Sequence, residues 1–495
     1  MPYNPAMPKN SNSLKLPQVP KLKFLSGAIA TDALVVGLAN KDKSLEIVSG
    51  ELKLDEKEIL QSLKDLGATG KADEVIKLPG TATKVLVFTG LGKAQRNYSS
   101  EVIRRAAGIA AQSLAGHKSA TFAINGDVRA IAEGASLGSY SFTDFRGHTK
   151  TDQKAPLSEI VVAGNGDSKL LRETEVQVKW TCFVRNLVNM PPSYLNPKKF
   201  AELVNVAAKS VPGVKVKVWD ERQLKSQGFG GIIGVGQGSA NPPRLVQLSY
   251  KPAKAKRNLA YVGKGITFDS GGLALKPALN MDQMKGDMTG AASVCGALLA
   301  IAELKLPVAV EAWAPLAENM VSDTATRPSD IITMYGGKTV EVLNPDAEGR
   351  LVLGDALVKA QENKSLDAII DVATLTGAKM IALGTRYSAV MTNNDQLCEE
   401  FLTATKSTGE QFWQLPLPEE LRQSLDTPVA DIANIGDRNG GALVAGLFLK
   451  EFIANELPWL HLDIAGCELN TGKAHGHTPV GATGIAVRSL IEMAR

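Results

Sequence analysis

Two stretches of the sequence concentrate carboxylates beside glycines, a setting suited to holding metal ions. They are VGKGITFDSGGLALKPALNMDQMKGDMTGAA (262–292) and VLNPDAEGRLVLGDAL (342–357). Their acidic residues are Asp269, Asp282, Asp287, Asp346, Glu348 and Asp355. Carboxylates that converge on one crevice repel each other unless cations neutralise them. Oxygen-rich ligation suits Mg, Mn or Zn, and two ions that share bridging carboxylates form a hydrolytic arrangement. The pair of stretches therefore predicts metal-assisted chemistry, although any one acid alone is more simply a helix cap or a surface charge.

Three basic residues accompany these acids. Lys264 lies within the strand-end sequence VGKG, where it is poorly placed to stay solvated. It could pair with a carboxylate, or it could lose its proton and donate its amine to a metal. Lys276 lies in the loop LALKPAL and is free to face a substrate. Arg350 follows Glu348 by two residues, and its fork of donors suits an anion or a carboxylate.

Other catalytic patterns are weaker. The glycine-rich run GFGGIIGVGQGS (228–239) precedes a strand rather than a helix, which argues against a dinucleotide site. The histidines form no HExxH pattern, and we expect His475 and His477 to be exposed rather than bound to metal. Ser270 lacks the GxSxG frame of a serine hydrolase. Metal-assisted hydrolysis is therefore the favoured chemistry.

Alternating strands and helices must position these residues. In the first part, apolar runs at 33–38, 84–91, 120–124 and 159–164 predict strands, and residues 56–67, 100–116 and 128–140 predict helices. In the second part, residues 244–250, 258–265, 308–316, 339–344, 368–375 and 459–466 predict strands. Residues 284–304, 348–363 and 394–407 predict helices. This alternation favours an α/β fold of two domains, each a mainly parallel or mixed sheet flanked by helices. Both acidic stretches begin at a strand's carboxyl end, where open α/β sheets bind ligands.

The domain organisation follows from a long helical pattern in the middle of the chain. Residues 168–190 have helical periodicity and end at Pro191-Pro192. We predict a flexible tail at 1–22, an N-terminal α/β domain at 23–166, a joining helix at 167–190 and a C-terminal catalytic α/β domain at 191–495.

Composition narrows the class of protein. The chain has 495 residues, of which 44% are hydrophobic and 21% charged, as in ordinary globular proteins. It contains no apolar run of membrane-spanning length and no secretory leader, so we expect a cytoplasmic protein without a membrane partner. Its 4 cysteines show no CxxC spacing, which favours free thiols. The first 165 residues are mildly basic, and an early run of lysines (Lys9, Lys15, Lys21 and Lys23) precedes the first acid, Asp32.

The motifs together resemble a known family. NPDAEGRL (344–351) resembles the signature octapeptide of the leucyl aminopeptidase (cytosol aminopeptidase) family. Five other segments also resemble motifs of this family, in order and at compatible spacing. They are NMPPSYLNP (189–197), VGKGITFDSGG (262–272), MDQMKGDM (281–288), ATLTGA (373–378) and HLDIAG (461–466). The resemblance covers about residues 180–490, and the first 165 residues carry no comparable motif.

The resemblance implies a metalloexopeptidase with two metal ions in its C-terminal domain. It assigns Lys264, Asp269, Asp287 and Glu348 to one ion, and Asp269, Asp346 and Glu348 to the other. It implies that Lys276 stabilises the oxyanion and that Arg350 holds a bicarbonate ion that acts as general base. It places Met284, Thr374, Gly377 and Ala465 in the pocket for the first side chain of the substrate. One departure is Pro345, where the family usually has Thr; the carboxylates are unchanged, so we expect a small effect.

The expected activity is removal of N-terminal residues, preferably leucine and other apolar residues, from peptides. A free α-amine that binds one ion explains the restriction to N-terminal residues, and a bridging water made acidic by the metals is the expected nucleophile. The cofactors would be two divalent cations per chain, Mn or Zn with Mg as a further option. The resemblance also implies a homohexamer.

Two other functions stay open at this point. The basic first part and its lysine-bearing tail would suit DNA binding, which should weaken steeply with salt. The carboxylate clusters would also suit a metal-dependent phosphatase or nuclease. Turnover of a phosphoester without turnover of peptides would favour the latter.

Overall fold

The protein is described here by a computed structural model that covers residues 16–25, 31–42, 44–50 and 55–495. Two compact units are found, one within Met1–Cys182 and Asn470–Val480 and the other comprising Phe183–Leu469 and Gly481–Arg495. Most of the tail predicted at 1–22, with Lys9 and Lys15, lies outside the described residues. Its last residues, Lys21 and Leu22, belong to a strand.

The first unit is built on one sheet with helices. The strands are β1 (Lys21–Leu25), β2 (Ala33–Lys41), β3 (Ser44–Val48), β4 (Val75–Pro79), β5 (Val85–Lys93), β6 (Ser119–Phe122) and β7 (Glu159–Ala163). The helices are α1 (Glu56–Asp65), α2 (Ser100–Ser113), α3 (Val128–Gly138) and α4 (Ser168–Asn189), with a 3₁₀ turn at His148–Lys150. Helix α4 continues into the second unit.

The sheet of the first unit is mainly parallel. Its order in the described ranges is β1-β7-β6-β2-β5-β4, with β3 also paired to β2. Only β3 and β4 run antiparallel to their neighbours among these strands. Ala33 and Val35 face one core, whereas Leu34 and Val36 face the other, as the period of two along a strand requires. Both faces of the sheet are therefore buried, as the continuous apolar runs predicted.

The second unit holds the remaining elements, apart from Asn470, the last residue of a short strand, which belongs to the first unit. Its strands are β8 (Val214–Trp219), β9 (Arg244–Tyr250), β10 (Asn258–Gly263), β11 (Gly265–Asp269), β12 (Ala309–Asn319), β13 (Asp330–Thr333), β14 (Thr339–Val342), β15 (Ala368–Ala373), β16 (Ser388–Thr392), β17 (Phe412–Gln414), β18 (Ile432–Ala433) and β19 (Trp459–Asp463), followed by β20 (Leu469–Asn470) and β21 (Gly481–Ala482). Its helices are α5 (Pro197–Lys209), α6 (Glu221–Ser226), α7 (Gly230–Gly236), α8 (Thr289–Glu303), α9 (Gly349–Ala360), α10 (Gly377–Leu383), α11 (Asp395–Thr408), α12 (Gly441–Lys450) and α13 (Val487–Met493). Two 3₁₀ helices lie at Met281–Gly286 and Glu419–Leu425.

The larger sheet carries the strand ends that matter for function. Its order is β17-β16-β19-β15-β10-β12-β9-β8, with β11 paired to β12. The central strands β19, β15, β10 and β12 run parallel, and β9 and β8 continue the sheet in antiparallel fashion. The carboxyl ends of the four parallel strands therefore meet at one edge. The prediction of two α/β domains with mainly parallel or mixed sheets is confirmed.

Helices cover both faces of this larger sheet. Ala260 and Val262 of β10 belong to a core shared with α9 and α12. Tyr261, between them, points the other way, and its hydroxyl donates a hydrogen bond to the carbonyl of Leu490 in α13. Within the described ranges, no helix is both long and apolar enough to cross a membrane.

Candidate functional site

One half of the site lies deep at the carboxyl ends of β10 and β15. The Nζ atom of Lys264 lies 2.9 Å from Oδ1 of Asp287 and 2.8 Å from Oε1 of Glu348. It also donates a hydrogen bond of 3.0 Å to the carbonyl of Thr374. Lys264, Asp287 and Glu348 are 3%, 6% and 1% exposed. We call these three residues the buried half of the site.

The other half lies closer to solvent. The Nζ atom of Lys276 lies 2.8 Å from Oδ2 of Asp269 and 2.5 Å from Oδ1 of Asp346. The side chains of Lys276 and Asp346 are 22% and 31% exposed, whereas that of Asp269 is 2% exposed. We call Lys276, Asp269 and Asp346 the open half of the site.

Carboxylates connect the two halves. Asp269, Asp346 and Glu348 each offer an oxygen, and these three oxygens lie within 4.8 Å of one another. The five residues expected to ligate metal thus come together from two distant stretches of the chain. Four carboxylates face two ammonium groups, which leaves a formal excess of two negative charges. Oδ2 of Asp287 and Oε2 of Glu348 are buried and have no hydrogen-bond partner, which also favours a cation beside them. The residues therefore fit divalent cations.

Burial and crowding shift the pKa values of the acids and lysines of this site. Burial raises the pKa of Asp287 well above its ordinary range, and it also raises the pKa of Glu348 and of Asp346. Burial alone would lower the pKa of Lys264, but the charges of the surrounding carboxylates outweigh it and raise that pKa. Lys264 is thus an ammonium ion here, and it must lose a proton before its amine can ligate a metal.

Backbone turns and an asparagine orient Asp269. Oδ1 of Asp269 accepts hydrogen bonds from the amide of Gly271, at 2.9 Å, and from Nδ2 of Asn319, at 2.8 Å. Nδ2 of Asn319 also donates to the carbonyl of Pro345, at 3.1 Å, so it links the two acidic stretches. Gly271 has a φ of +85°, and a Cβ there would lie 2.7 Å from Oδ1 of Asp346. Sequence reasoning missed Asn319, although its place at the end of β12 could have indicated it.

A second missed residue, Asn434, holds the loop that follows β14. Its Oδ1 accepts hydrogen bonds from the amides of Leu343 and Asn344, at 2.9 and 3.2 Å. Its Nδ2 donates to the carbonyl of Asn344, at 2.7 Å. Asn434 is completely buried. A neutral amide about 90 residues away from the loop gives no sequence signal, so only the structure reveals this anchor.

Arg350 is held by the same residue. Its Nη1 donates a hydrogen bond of 2.7 Å to the carbonyl of Asn434. The side chain is buried, and burial lowers the pKa of Arg350 to about 10, although the charges of Glu348 and Asp463 oppose the shift. Nε of Arg350 has no hydrogen-bond partner. A buried guanidinium with an unused donor beside the carboxylate cluster can bind a small anion.

Helix α9 begins immediately after Glu348 and packs closely on Lys264. A Cβ at Gly349 would lie 2.5 Å from Cε and 2.8 Å from Nζ of Lys264. These distances are shorter than any normal nonbonded contact. The absence of a side chain at Gly349 therefore gives Lys264 its place between Asp287 and Glu348.

Two acids of the candidate stretches lie outside the site. Asp282 is exposed on the 3₁₀ helix Met281–Gly286. Asp355 is buried in α9, where its carboxylate accepts hydrogen bonds from the amides of Ile232 and Tyr335, at 2.8 and 2.7 Å. Burial raises the pKa of Asp355 to about 7. Asp355 therefore ties backbone segments together rather than contributing to the cluster.

Of the four residues expected to line a side-chain pocket, Thr374 contacts the buried half directly. Oγ1 of Thr374 donates a hydrogen bond of 2.6 Å to Oδ1 of Asp287. Met284 lies in the 3₁₀ helix just before Asp287, and Ala465 follows the end of β19. Gly377 begins α10, and a Cβ there would meet no atom within 4 Å.

The expectation that His475 and His477 are exposed is wrong for His477. His477 is 8% exposed, whereas His475 is only partly buried. A Cβ at Gly108 of α2 would lie 2.5 Å from Cα of His477, so the loop packs directly on that helix. The polar sequence around His477 hid this contact because the glycine that permits it lies far away in the chain.

Comparison with known sequences decides the family. The profile of the cytosol aminopeptidase family, catalytic domain, matches residues 182–491, and the profile of its N-terminal domain matches residues 35–149. The chain belongs to the cytosol aminopeptidase family. It is 49% identical to a probable cytosol aminopeptidase of Streptomyces avermitilis, over 95% of this chain and 96% of the relative. A probable cytosol aminopeptidase of Mycobacterium tuberculosis is 45% identical, over 88% of this chain and 87% of the relative.

Similar solved structures agree with this membership. The bottromycin maturation enzyme BotP in complex with Mn matches with a TM-score of 0.84 and 35% identity, over 94% of this chain and 99% of that chain. A mutant of the tomato leucine aminopeptidase matches with a TM-score of 0.83 and 30% identity, over 99% of this chain and 98% of that chain. As a member of the metal-dependent cytosol aminopeptidase family, this protein is a peptidase, which confirms the enzyme class predicted from the motifs.

Proposed function

We propose that this family member is an aminopeptidase that uses two divalent cations to remove N-terminal residues from peptides, leucine and other apolar residues in preference. The observation that carries the proposal is the convergence of Asp269, Asp287, Asp346 and Glu348 around Lys264 and Lys276. The excess of negative charge, together with buried oxygens that lack partners, calls for cations.

The ligands we propose come from both halves of the site. Lys264, Asp269, Asp287 and Glu348 would hold one ion, and Asp269, Asp346 and Glu348 would hold the other. Oxygen donors with one amine suit Mn or Zn, and Mg to a lesser degree because it favours oxygen alone. The relative BotP was solved in complex with Mn, which supports Mn as the first ion to test. When bound, such cations would polarise a carbonyl and lower the pKa of a bound water.

The protein's own groups would complete the reaction. Lys276 remains an ammonium ion, because the carboxylates raise its pKa above the ordinary range, and it is the part-exposed cation of the site. We assign it to the negative charge that develops on the scissile carbonyl oxygen. Arg350, with its unused Nε, would hold a bicarbonate ion whose oxygen takes up the proton of the attacking water.

Substrate preference would come from a pocket lined by residues of separate parts of the chain: Met284, Thr374, Gly377 and Ala465. Met284 and Ala465 are apolar, so they favour leucine and similar side chains. An apolar pocket distinguishes ligands that differ by one methylene by only ~1–3 kcal/mol, so several apolar residues should be accepted.

Assembly and location are part of the same proposal. We propose a homohexamer that acts on peptides in the cytoplasm, on the basis of the family resemblance and of the relatives' designation as cytosol aminopeptidases. Light scattering on the purified protein gives its mass directly. A mass below that of six chains would contradict the assembly.

The decisive experiment measures metal content per chain and the rate of leucine anilide hydrolysis in the same samples. We expect about two Mn or Zn ions per chain, activity that chelation abolishes, and loss of one ion with most of the activity in Asp346→Ala. Asp282→Ala is the matched control, since Asp282 is an exposed acid outside the cluster.

Three outcomes would contradict the proposal. One is activity that does not respond to a chelator. Another is equal metal content in Asp346→Ala and Asp282→Ala. The third is hydrolysis of a phosphoester with no hydrolysis of peptides, which would instead favour a metal-dependent phosphatase or nuclease.

A further inference from the structure

Glu468 is a buried acid that the proposed chemistry does not use. It lies five residues after the end of β19 and is 8% exposed. Its Oε2 atom is buried and has no hydrogen-bond partner. Burial raises the pKa of Glu468 to about 7, although the backbone amides of Glu468 and Gly466 and the charge of Lys379 oppose the shift. A buried carboxyl oxygen without a partner carries a desolvation cost, so the group calls for an explanation.

The surroundings of Glu468 place it beside the proposed side-chain pocket. A Cβ at Gly286 would lie 3.2 Å from Cγ of Glu468, so this side chain packs on the end of the 3₁₀ helix that carries Met284. Ala465 lies three residues earlier on the same loop. The carbonyl of Glu468 accepts a hydrogen bond of 3.0 Å from the amide of Thr483, which fixes the backbone. Two of the residues assigned to the pocket thus lie on the segments that hold Glu468.

The nearby lysine does not satisfy the carboxylate. Lys379 is completely buried, and its Nζ donates hydrogen bonds to the carbonyls of Ala465 and Gly384, at 2.8 and 3.2 Å, and lies 3.2 Å from Sγ of Cys467. In the described part of the chain, no Lys or Arg lies within ion-pair distance of Glu468. Its Oε2 is therefore a buried acceptor that no cation of the described chain neutralises.

We propose that Glu468 makes the pocket accept a cationic first residue, arginine above all, in addition to leucine. This proposal rests on the proposed aminopeptidase function and refines its substrate range. The aliphatic stem of arginine is as apolar as leucine and can pack on Met284 and Ala465, because long cationic side chains bury their stems and keep the charge at the tip. The guanidinium at that tip can donate to Oε2 of Glu468. At Gly377, which the resemblance assigns to the same pocket, a Cβ would meet no atom within 4 Å.

The test compares arginine and leucine anilides in the wild type, Glu468→Gln and Glu468→Met, with two measurements. The first is the ratio of kcat/KM for the arginine substrate to that for the leucine substrate. The second is the affinity of the metal-loaded protein for free L-arginine and L-leucine, measured by calorimetry. In both variants we expect the arginine-to-leucine ratio of kcat/KM to fall roughly ten- to hundred-fold. The affinity for L-arginine relative to L-leucine should fall by the same factor. This factor corresponds to the loss of one hydrogen bond between charged groups. Turnover of leucine should rise in Glu468→Met.

The matched control is Glu456→Gln, which makes the same change of charge at an exposed position of the same unit. Its arginine-to-leucine ratio should equal that of the wild type. A ratio that stays within two-fold in the folded Glu468 variants would overturn the proposal, and so would loss of the fold in both, since Glu468 would then be a structural group. Failure of the aminopeptidase proposal would look different, because the wild type would then hydrolyse neither anilide.

Discussion

The buried half and the open half of the site use the same pair of groups in different surroundings. In each, a lysine ammonium lies between two carboxylates at 2.5–2.9 Å. Lys264 and its partners are almost completely removed from solvent, whereas Lys276 and Asp346 are 22% and 31% exposed. Charges interact more strongly when they are buried than when they are exposed to water. A lysine between two carboxylates can therefore have a different role in each half. The buried half is suited to retaining a cation, and the open half to meeting a substrate.

The largest expected effect comes from Glu348, a carboxylate of the buried half that we assign to both ions. Glu348→Ala removes a ligand assigned to both ions and leaves Lys264 with one carboxylate partner, Asp287. We expect kcat/KM for leucine anilide to fall at least about a thousand-fold, or ~4 kcal/mol, together with loss of bound metal. Steady-state kinetics and metal analysis test this. Unchanged kinetics in Glu348→Ala would contradict the role of the whole cluster.

The next effect concerns only the open half. Lys276→Met keeps the length of the side chain and removes its charge. We expect kcat to fall about 10²–10³-fold, the usual loss when one oxyanion donor is removed, while both metals stay bound. Lys285→Met, in the nearby 3₁₀ helix, is the control. If Lys276→Met lost metal but kept the activity of its remaining loaded fraction, Lys276 would be a metal-site residue rather than a catalytic one.

A third prediction uses pH to sharpen the difference between the halves. In the metal-free protein, the pKa of Lys264 and of Asp287 is raised, so the buried half binds protons that a metal must displace. Metal affinity should therefore rise with pH, by up to about ten-fold per unit for each proton released. Calorimetry in two buffers of different ionisation enthalpy counts these protons. Metal binding to Lys264→Met should release one proton fewer than metal binding to the wild type. An equal number of protons released would show that Lys264 is not a ligand.

The smallest expected effect concerns the anchor of the second stretch. Asn434→Ala removes hydrogen bonds to the loop that carries Asp346, and it should lower the free energy of unfolding by ~1–3 kcal/mol or more. Urea denaturation measures this, with Asn455→Ala, an exposed change, as the control. Metal loading should recover part of the loss, because ions bind only the folded loop. Equal stability of the two variants would show that the loop holds its shape without Asn434.

The sequence revealed the charged part of the site better than the neutral part. Asp269 could be placed because carboxyl ends of parallel strands share one edge, and family motifs supplied the rest. The same reasoning grouped Asp282 and Asp355 with them, since composition alone does not distinguish an acid that faces the crevice from one that caps a backbone segment. Asn319 lies at a strand end but carries no charge, so the pattern of charged residues did not predict its place in the site.

Long-range contacts explain what was missed. Asn434 acts on a loop about 90 residues earlier, and Glu468 owes its interest to burial and to an oxygen without a partner. Neither property has a periodicity or a spacing that a sequence could display. The strands and helices that were predicted, in contrast, follow local patterns of apolar residues, and their positions agree with those observed to within a few residues.

The close packing of Lys264 on Gly349 has a genetic consequence. The place that a methyl group would occupy there is taken by the end of Lys264. A change of one nucleotide converts a glycine codon into an alanine codon, so the smallest possible mutation at this position competes directly with the lysine for its volume. We therefore expect inactivating mutations of this gene to arise readily at a residue that performs no chemistry itself.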